Sequence, residues 1–165
     1  MPPMGLAAEV LTVAHGSERF AALLAQLRAD TALVRRFWAE AEGTPDELDK
    51  PGTLWSVVVL RDGSRWGTLA AWAAARVEGD TLKCFANYEV PGVGRELGLY
   101  RVAYQERHRA VVLPSRRAAV TFLFAQPIPL HEADGWRRTG LQGVSTEPGI
   151  EAHAWWELRR DPTEA

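Results

Sequence analysis

The sequence predicts an α+β fold, a central mixed but mostly antiparallel sheet with helices on both faces. Three observations lead there. Residues 54–60, 66–77 and 81–90 are successive strand-like runs separated by Asp62-Gly63 and by Glu78-Gly79-Asp80, and Asp-Gly between such runs is a strong short-range hairpin signal. A helical pattern over 97–112 then leads to a short, nearly all-apolar run at 118–125, and a helix connecting two neighbouring strands makes them parallel. Last, 142–146 and 150–159 form an antiparallel pair about Glu147-Pro148-Gly149.

Taken in order, residues 16–41 read as helix, because Phe20, Leu23, Leu24, Leu27, Val34, Phe37 and Trp38 recur at helical spacing, with a break near Asp30-Thr31. Residues 42–52 are a polar loop punctuated by Pro45, Pro51 and Gly52. The strand 54–60 is rich in valine and 66–77 returns from the hairpin. The helix 97–112 is closed by Pro114, and 129–138 reads as a short helix stopped by Gly140. The ends, 1–5 and 161–165, read as loose. With 165 residues and no linker, repeat or low-complexity tract, the chain reads as one domain over 1–165 with its core at about 16–159.

Composition narrows the function. A net charge of −2, with charged residues at 24%, gives no field for nucleic acid or an anionic membrane surface. Arginines are scattered along the chain. A single cysteine, Cys84, excludes an internal disulfide and a multi-cysteine metal site. With no signal-like leader and no apolar run of spanning length, a cytoplasmic location is expected. Seven tryptophans exceed what a core of this size needs, so some are available to line a pocket.

The most informative stretch runs from Asn87 to Tyr104, NYEVPGVGRELGLYRVAY. A strand ends, glycines and an arginine follow, and a helix begins at once. Backbone N–H groups then converge before a helix N-terminus, where the dipole favours an anion such as phosphate or pyrophosphate. Gly92-x-Gly94-x-x-x-Gly98 is not the dinucleotide spacing, and there is no Walker Gly-Lys-Ser/Thr. A tight chain reversal alone is the competing reading.

With this element order, the chain resembles the GNAT (GCN5-related N-acetyltransferase) superfamily. Arg95-Glu96-Leu97-Gly98-Leu99-Tyr100 matches the family's Arg/Gln-x-x-Gly-x-Gly/Ala signature except at its last position. Val90-Pro91 looks like the family's strand end, and Gly135-Trp136 to Gly140-Leu141 like the close of its last helix. The resemblance implies a GNAT-like sheet with splayed parallel strands at about 81–90 and 118–125, acetyl-CoA as co-substrate, and no metal. It places Tyr88, Val90, Arg95, Glu96, Leu97, Gly98, Leu99, Tyr100 and Gln126 about the cofactor, with the Val90 N–H on the acyl carbonyl. Strand alternation puts Lys83, Phe85, Asn87 and Glu89 on one face.

Acyl transfer to an amine needs a base, carbonyl polarisation and a stabilised leaving thiolate. By resemblance Glu89 is the base, and Asn87 orients a water or the acceptor. The family's usual Tyr acid is replaced by Trp136, whose indole cannot serve; His131, in Pro129-Leu-His-Glu-Ala-Asp134, and Tyr100 are the titratable groups nearest by sequence, and by resemblance His131 lies near the donor sulfur, as base or acid. Trp38, Trp155 and Glu89 are the implied acceptor contacts, with the acidic loop 42–49 attracting a cation. His108 reads as helix surface and Cys84 as a small buried hydrophobe. The implied activity is transfer of an acetyl or acyl group to a primary amine of a small molecule in a ternary complex, by a monomer or homodimer. Two alternatives stand beside it: an inactive acyl-CoA-binding domain of the same fold, and an unrelated tryptophan-rich ligand-binding domain.

Overall fold

The computed structural model describes residues 7–30, 44–90, 98–145 and 153–163. In chain order the described elements are β1 (Ala7–Ala14), α1 (Glu18–Ala29), α2 (Pro45–Leu48), β2 (Leu54–Arg61), β3 (Thr68–Glu78), β4 (Thr81–Glu89), α3 (Leu99–Arg107), a π-helical turn (His108–Val112), α4 (Leu113–Ser115), β5 (Ala119–Leu123), α5 (Ile128–Glu132), β6 (Arg137–Ser145) and β7 (His153–Arg160). One seven-stranded sheet has the order β1-β2-β3-β4-β5-β7-β6. Every pairing is antiparallel except β4–β5. The α+β fold class is therefore as the sequence predicts.

Each face of the sheet has its own core. Phe20, Leu23 and Leu27 of α1 pack with Leu48 of α2 on Trp55, Trp72 and Phe85. On the opposite face Leu99 and Ala103 of α3 cover Val58, Ala71 and Ala73. Val111 and Val112 of the π turn, Ile128 of α5 and Trp136 cover Leu82, Ala119 and Leu158. β3 lies between two strands and beneath helices on both faces, and Ala70, Ala71, Ala73, Ala74 and Ala75 are all fully buried. Alanines let the covering layers come close.

Leu99, Ala103, Arg107 and Val111 follow one another every four residues. In an α-helix that spacing drifts about 40° per step off one face. The π turn at His108–Val112 winds more slowly, which keeps Val111 and Val112 turned toward the sheet.

The structure corrects several boundaries. β1 was not expected; it pairs with β2 from Ala7↔Arg61 to Ala14↔Leu54. Of the helix read over 16–41, Glu18–Ala29 is formed, capped by Ser17, and 31–43 lie outside the described residues. β3 begins at Thr68, so Trp66 precedes it. The helix read over 129–138 is confined to Ile128–Glu132, and residues from Arg137 onward are strand. Gly135 at φ 91° turns the chain there. Among the described residues no helix is long and apolar enough to cross a membrane.

Candidate active site

The site is organised by the only parallel seam in the described sheet. β4 and β5 pair at Leu82↔Ala119, Lys83↔Val120 and Cys84↔Thr121, and there the ladder stops, although β4 continues to Glu89 and β5 to Leu123. The Thr121 hydroxyl closes the last rung by donating to the Cys84 carbonyl at 2.8 Å. Beyond it the strands part, leaving a cleft flanked by the start of α3.

Just past that rung β4 carries a bulge. Trp72 pairs with Tyr88 and Ala74 with Phe85, so Ala73 alone faces both Ala86 and Asn87. Ala86 holds φ 55°, a left-handed conformation costing about 1–2 kcal/mol in a non-glycine residue. The extra residue reverses the strand's phase. Phe85 lies in the core beneath α1, whereas Asn87 and Glu89 reach groups of α3. The simple alternation that put Phe85, Asn87 and Glu89 on one face is thus wrong, and Tyr88 packs instead against Trp72 at 5.2 Å.

The phase also decides which backbone groups are open. Leu82 N–H reaches Ala118 O toward β5, and Val90 N–H reaches Ala70 O on β3 at 2.8 Å. Val90 therefore has no N–H to offer an acyl carbonyl, contrary to expectation. Glu89, one residue earlier, directs its N–H to the β5 side, where the ladder has ended.

At the mouth of the cleft, Gly98 is the N-cap of α3, with φ 67° and no side-chain cap. The cap comes from β4: a Glu89 carboxylate oxygen accepts from Tyr100 N–H at 3.3 Å. Leu99 is buried beneath α3 and Tyr100 is half-buried.

Below the cleft lies a polar cluster. Arg107 is fully buried. Its Nη1 donates to Ala74 O at 3.1 Å, to Phe85 O at 3.4 Å and to Asn87 Oδ1 at 2.6 Å. Its Nη2 lies 3.3 Å from His131 Nε2. Because arginine only donates, His131 Nε2 accepts, and Nδ1–H donates to Pro127 O at 2.9 Å. Burial first, then the Arg107 charge, depress the His131 pKa to about 3. With both nitrogens engaged and the ring fully buried, His131 has no free position for proton transfer to a donor sulfur. Trp136, also buried, packs edge-on to His131 at 5.4 Å.

Tyr104 extends the cluster, donating to Asp134 Oδ2 at 2.6 Å; burial, reinforced by Asp134, pushes its phenol well up. His108 stacks on Tyr104 at 6.0 Å and is half-buried, not the surface residue expected. Burial lowers its pKa. Cys84 is buried, and burial raises its thiol.

On the other face of the sheet, Trp155 meets Phe122 edge-on at 5.7 Å. Its indole lies over Gly143, where a Cβ would come within 2.5 Å of the ring. Gln126 is exposed in the turn after β5. Trp38, Arg95, Glu96 and Leu97 lie outside the described residues. The structure thus joins Asn87, Glu89, Tyr100 and His131 about α3 and sets Trp155 apart. Among the described residues no group of three or more metal-ligating side chains occurs.

Arg107 is the residue the sequence reading missed. Its signal was its place on the stripe Leu99-Ala103-Arg107-Val111, where a charge on a buried face is unusual without a partner.

No family model and no curated protein matches this sequence. Solved structures do match. A protein provisionally assigned as a phosphinothricin N-acetyltransferase superposes with a TM-score of 0.60 at 19% identity, over 94% of this chain and 100% of its own. An acyl-CoA N-acyltransferase from Pseudomonas aeruginosa gives 0.59 at 17% identity, over 93% and 99%. The phosphinothricin acetyltransferase of Sinorhizobium meliloti, solved with acetyl-CoA, gives 0.56 at 15%, over 96% and 90%. The fold is that of the GNAT acetyltransferases.

Proposed function

We propose that the protein is an acyl-CoA-dependent N-acyltransferase acting on a primary amine of a small molecule. The observation that carries this reading is the seam between β4 and β5: a parallel ladder that ends at Thr121 while both strands continue, and the N-terminus of α3 beside it. That arrangement offers an extended groove for a pantetheine-like arm and helix amides for its pyrophosphate.

In the reaction the amine nitrogen attacks the thioester carbonyl carbon, and the carbonyl π pair moves to oxygen. The Glu89 backbone N–H, which points to the β5 side of β4 beyond the end of the ladder, is the donor assigned to that oxygen. Collapse re-forms the carbonyl and breaks the C–S bond, whose electron pair leaves on sulfur. Glu89 takes the proton of the ammonium, directly or through one water. In the unliganded protein its carboxylate holds the Tyr100 N–H. Acetyl-CoA as donor is favoured by the neighbour solved with it. Gly98, Leu99 and Tyr100 with Arg95, Glu96 and Leu97 would hold the cofactor's phosphates. Trp38 would contact the acceptor, whereas Trp155, on the other face of the sheet, is no longer assigned to it; the two neighbours named for phosphinothricin make amino-acid-like amines the first class to try.

The test is calorimetric titration of acetyl-CoA, CoA and ATP, followed by an amine panel. Binding of both CoA compounds at micromolar level without ATP is the expected result. Failure to bind them refutes the proposal. A silent acyl-CoA-binding domain is the second reading, favoured by the buried Trp136 indole in place of an acid; CoA binding with no turnover on any amine would establish it.

A further inference from the structure

Arg107 is a fully buried cation with no carboxylate bonded to it among the described residues. Its partners are two backbone carbonyls, the Asn87 amide and a His131 ring, and its Nε–H is buried with no partner. The Tyr104 ring lies 5.8 Å from the guanidinium. Burying an ion costs several kcal/mol unless neighbours compensate it, and here every hydrogen-bond partner is neutral. The charge spans the gap below the cleft, from β4 at Phe85 and Asn87 to His131 of α5. An anion forming above it would be stabilised.

The Asn87 amide is orientated by the same contact. Its Oδ1 must face the guanidinium, since arginine has donors only. Its Nδ2 is left pointing away from Arg107, and the residue is half-exposed. Accepting a bond from a cation polarises an amide and strengthens its own N–H as a donor.

We propose that Asn87, held and polarised by the buried Arg107 guanidinium, is the hydrogen-bond donor to the departing CoA sulfur. This rests on the acyltransferase reading. Asn87 touches the sulfur; Arg107 acts through it and is a positioning residue, and His131 fixes Arg107 from the α5 side. When the C–S bond breaks, its electron pair stays on sulfur as a thiolate bonded to Asn87 Nδ2–H. The thiolate takes a proton from water once released, so no side-chain acid is required. That accounts for a chain with tryptophan at position 136. The other charged groups near the sulfur's path are the Glu89 carboxylate on the first turn of α3 and Asp134, bonded to Tyr104; both oppose the Arg107 charge, and His131 is neutral.

The experiment follows the ultraviolet absorbance of the thiolate of bound CoA against pH, in the wild type, Asn87→Ala, Asn87→Asp, Arg107→Lys and Arg107→Met. The bound thiol should titrate at least about one unit below free CoA in the wild type, close to free CoA in Asn87→Ala, and higher still in Asn87→Asp. With a productive amine, kcat should fall at least about tenfold in Asn87→Ala while KM for acetyl-CoA stays within about threefold. Arg107→Lys should retain more kcat than Arg107→Met. An unperturbed thiol in the wild type, or an Asn87→Ala kcat equal to the wild type's, overturns the role given to Asn87. Should the Arg107 variants fail to fold, the half-exposed Asn87 decides the matter alone. Absence of CoA binding by the wild type is a different result, which removes the underlying acyltransferase reading.

Discussion

Mild acid should destabilise this protein through His131. The ring is fully buried, donates to Pro127 O and accepts from a guanidinium, so only its neutral form fits. Its folded pKa is about 3 against an ordinary value of 6.5. The folded pKa is depressed, so the unfolded chain binds the proton first; stability is full above pH 6.5 and declines as pH falls toward 3. At pH 5 the unfolded imidazole is almost wholly protonated and the folded one almost wholly neutral. The differential protonation then amounts to about 2 kcal/mol relative to pH 7.5. Because pH 5 lies well above the folded value, that figure depends on the unfolded pKa and hardly on the folded one. Urea denaturation at pH 7.5, 6.5 and 5 reads it directly: the wild-type midpoint should fall by about 1 M more than that of His131→Gln over this range. The half-buried His108 adds to the slope in both proteins and cancels in the comparison. Equal slopes in the two proteins would refute the buried, neutral histidine and with it the Arg107–His131 contact.

Three further outcomes are expected. Gly98→Ala should cost about 1 kcal/mol by urea denaturation, because φ is 67° while no atom of the described residues lies within 4 Å of where the Cβ would stand; Gly98→Asn should cost less. Glu47→Gln should weaken the clamp on Arg76, whose Nη2 meets Glu47 Oε1 at 2.8 Å, by about 1–3 kcal/mol at pH 7. Burial would raise the Glu47 carboxyl, but Lys50 and Arg76 hold it below 4.5, so this part of the wild type's stability is lost only as pH falls below about 4.5, and the variant should lack that step. Gly143→Ala should drive the Trp155 indole off the sheet, since the new Cβ would sit 2.5 Å from the ring; a red-shifted tryptophan emission and a loss of about 1 kcal/mol check it.

What the sequence made legible follows from how locally each feature is encoded. β2, β3 and β4 carry apolar runs between turn residues, and their order and the seam to β5 were read within a few positions. β1 escaped because, as an edge strand, its only buried residue is Val13, and a half-exposed Ala-Ala-Glu-Val pattern gives little periodic signal. Trp136-Arg137-Arg138 was read as helix because three residues around a glycine do not distinguish a helix end from a strand start. That Glu89, Gly98 and Tyr100 meet where a helix begins could be read from the sequence, but their geometry could not. A bulge at Ala86 has no side-chain signature, yet it reverses the faces of Asn87 and Glu89 and assigns the Val90 N–H to β3. Arg107 could be placed only once β4 and α5 were seen to converge on it.

The short β4–β5 ladder bears on how the molecule assembles. Strands β1 to β4 are neighbours in both sequence and sheet, and so are β5 with β6 and β7 taken together. Each group can form from contacts within its own stretch of chain, which is the fast kind of folding. Within the sheet three residue pairs join the two groups, and the core around Leu82, Ala119 and Leu158 backs them. The candidate site therefore lies at the junction of two strand groups, each of which is local in sequence, and it takes shape only where the two meet.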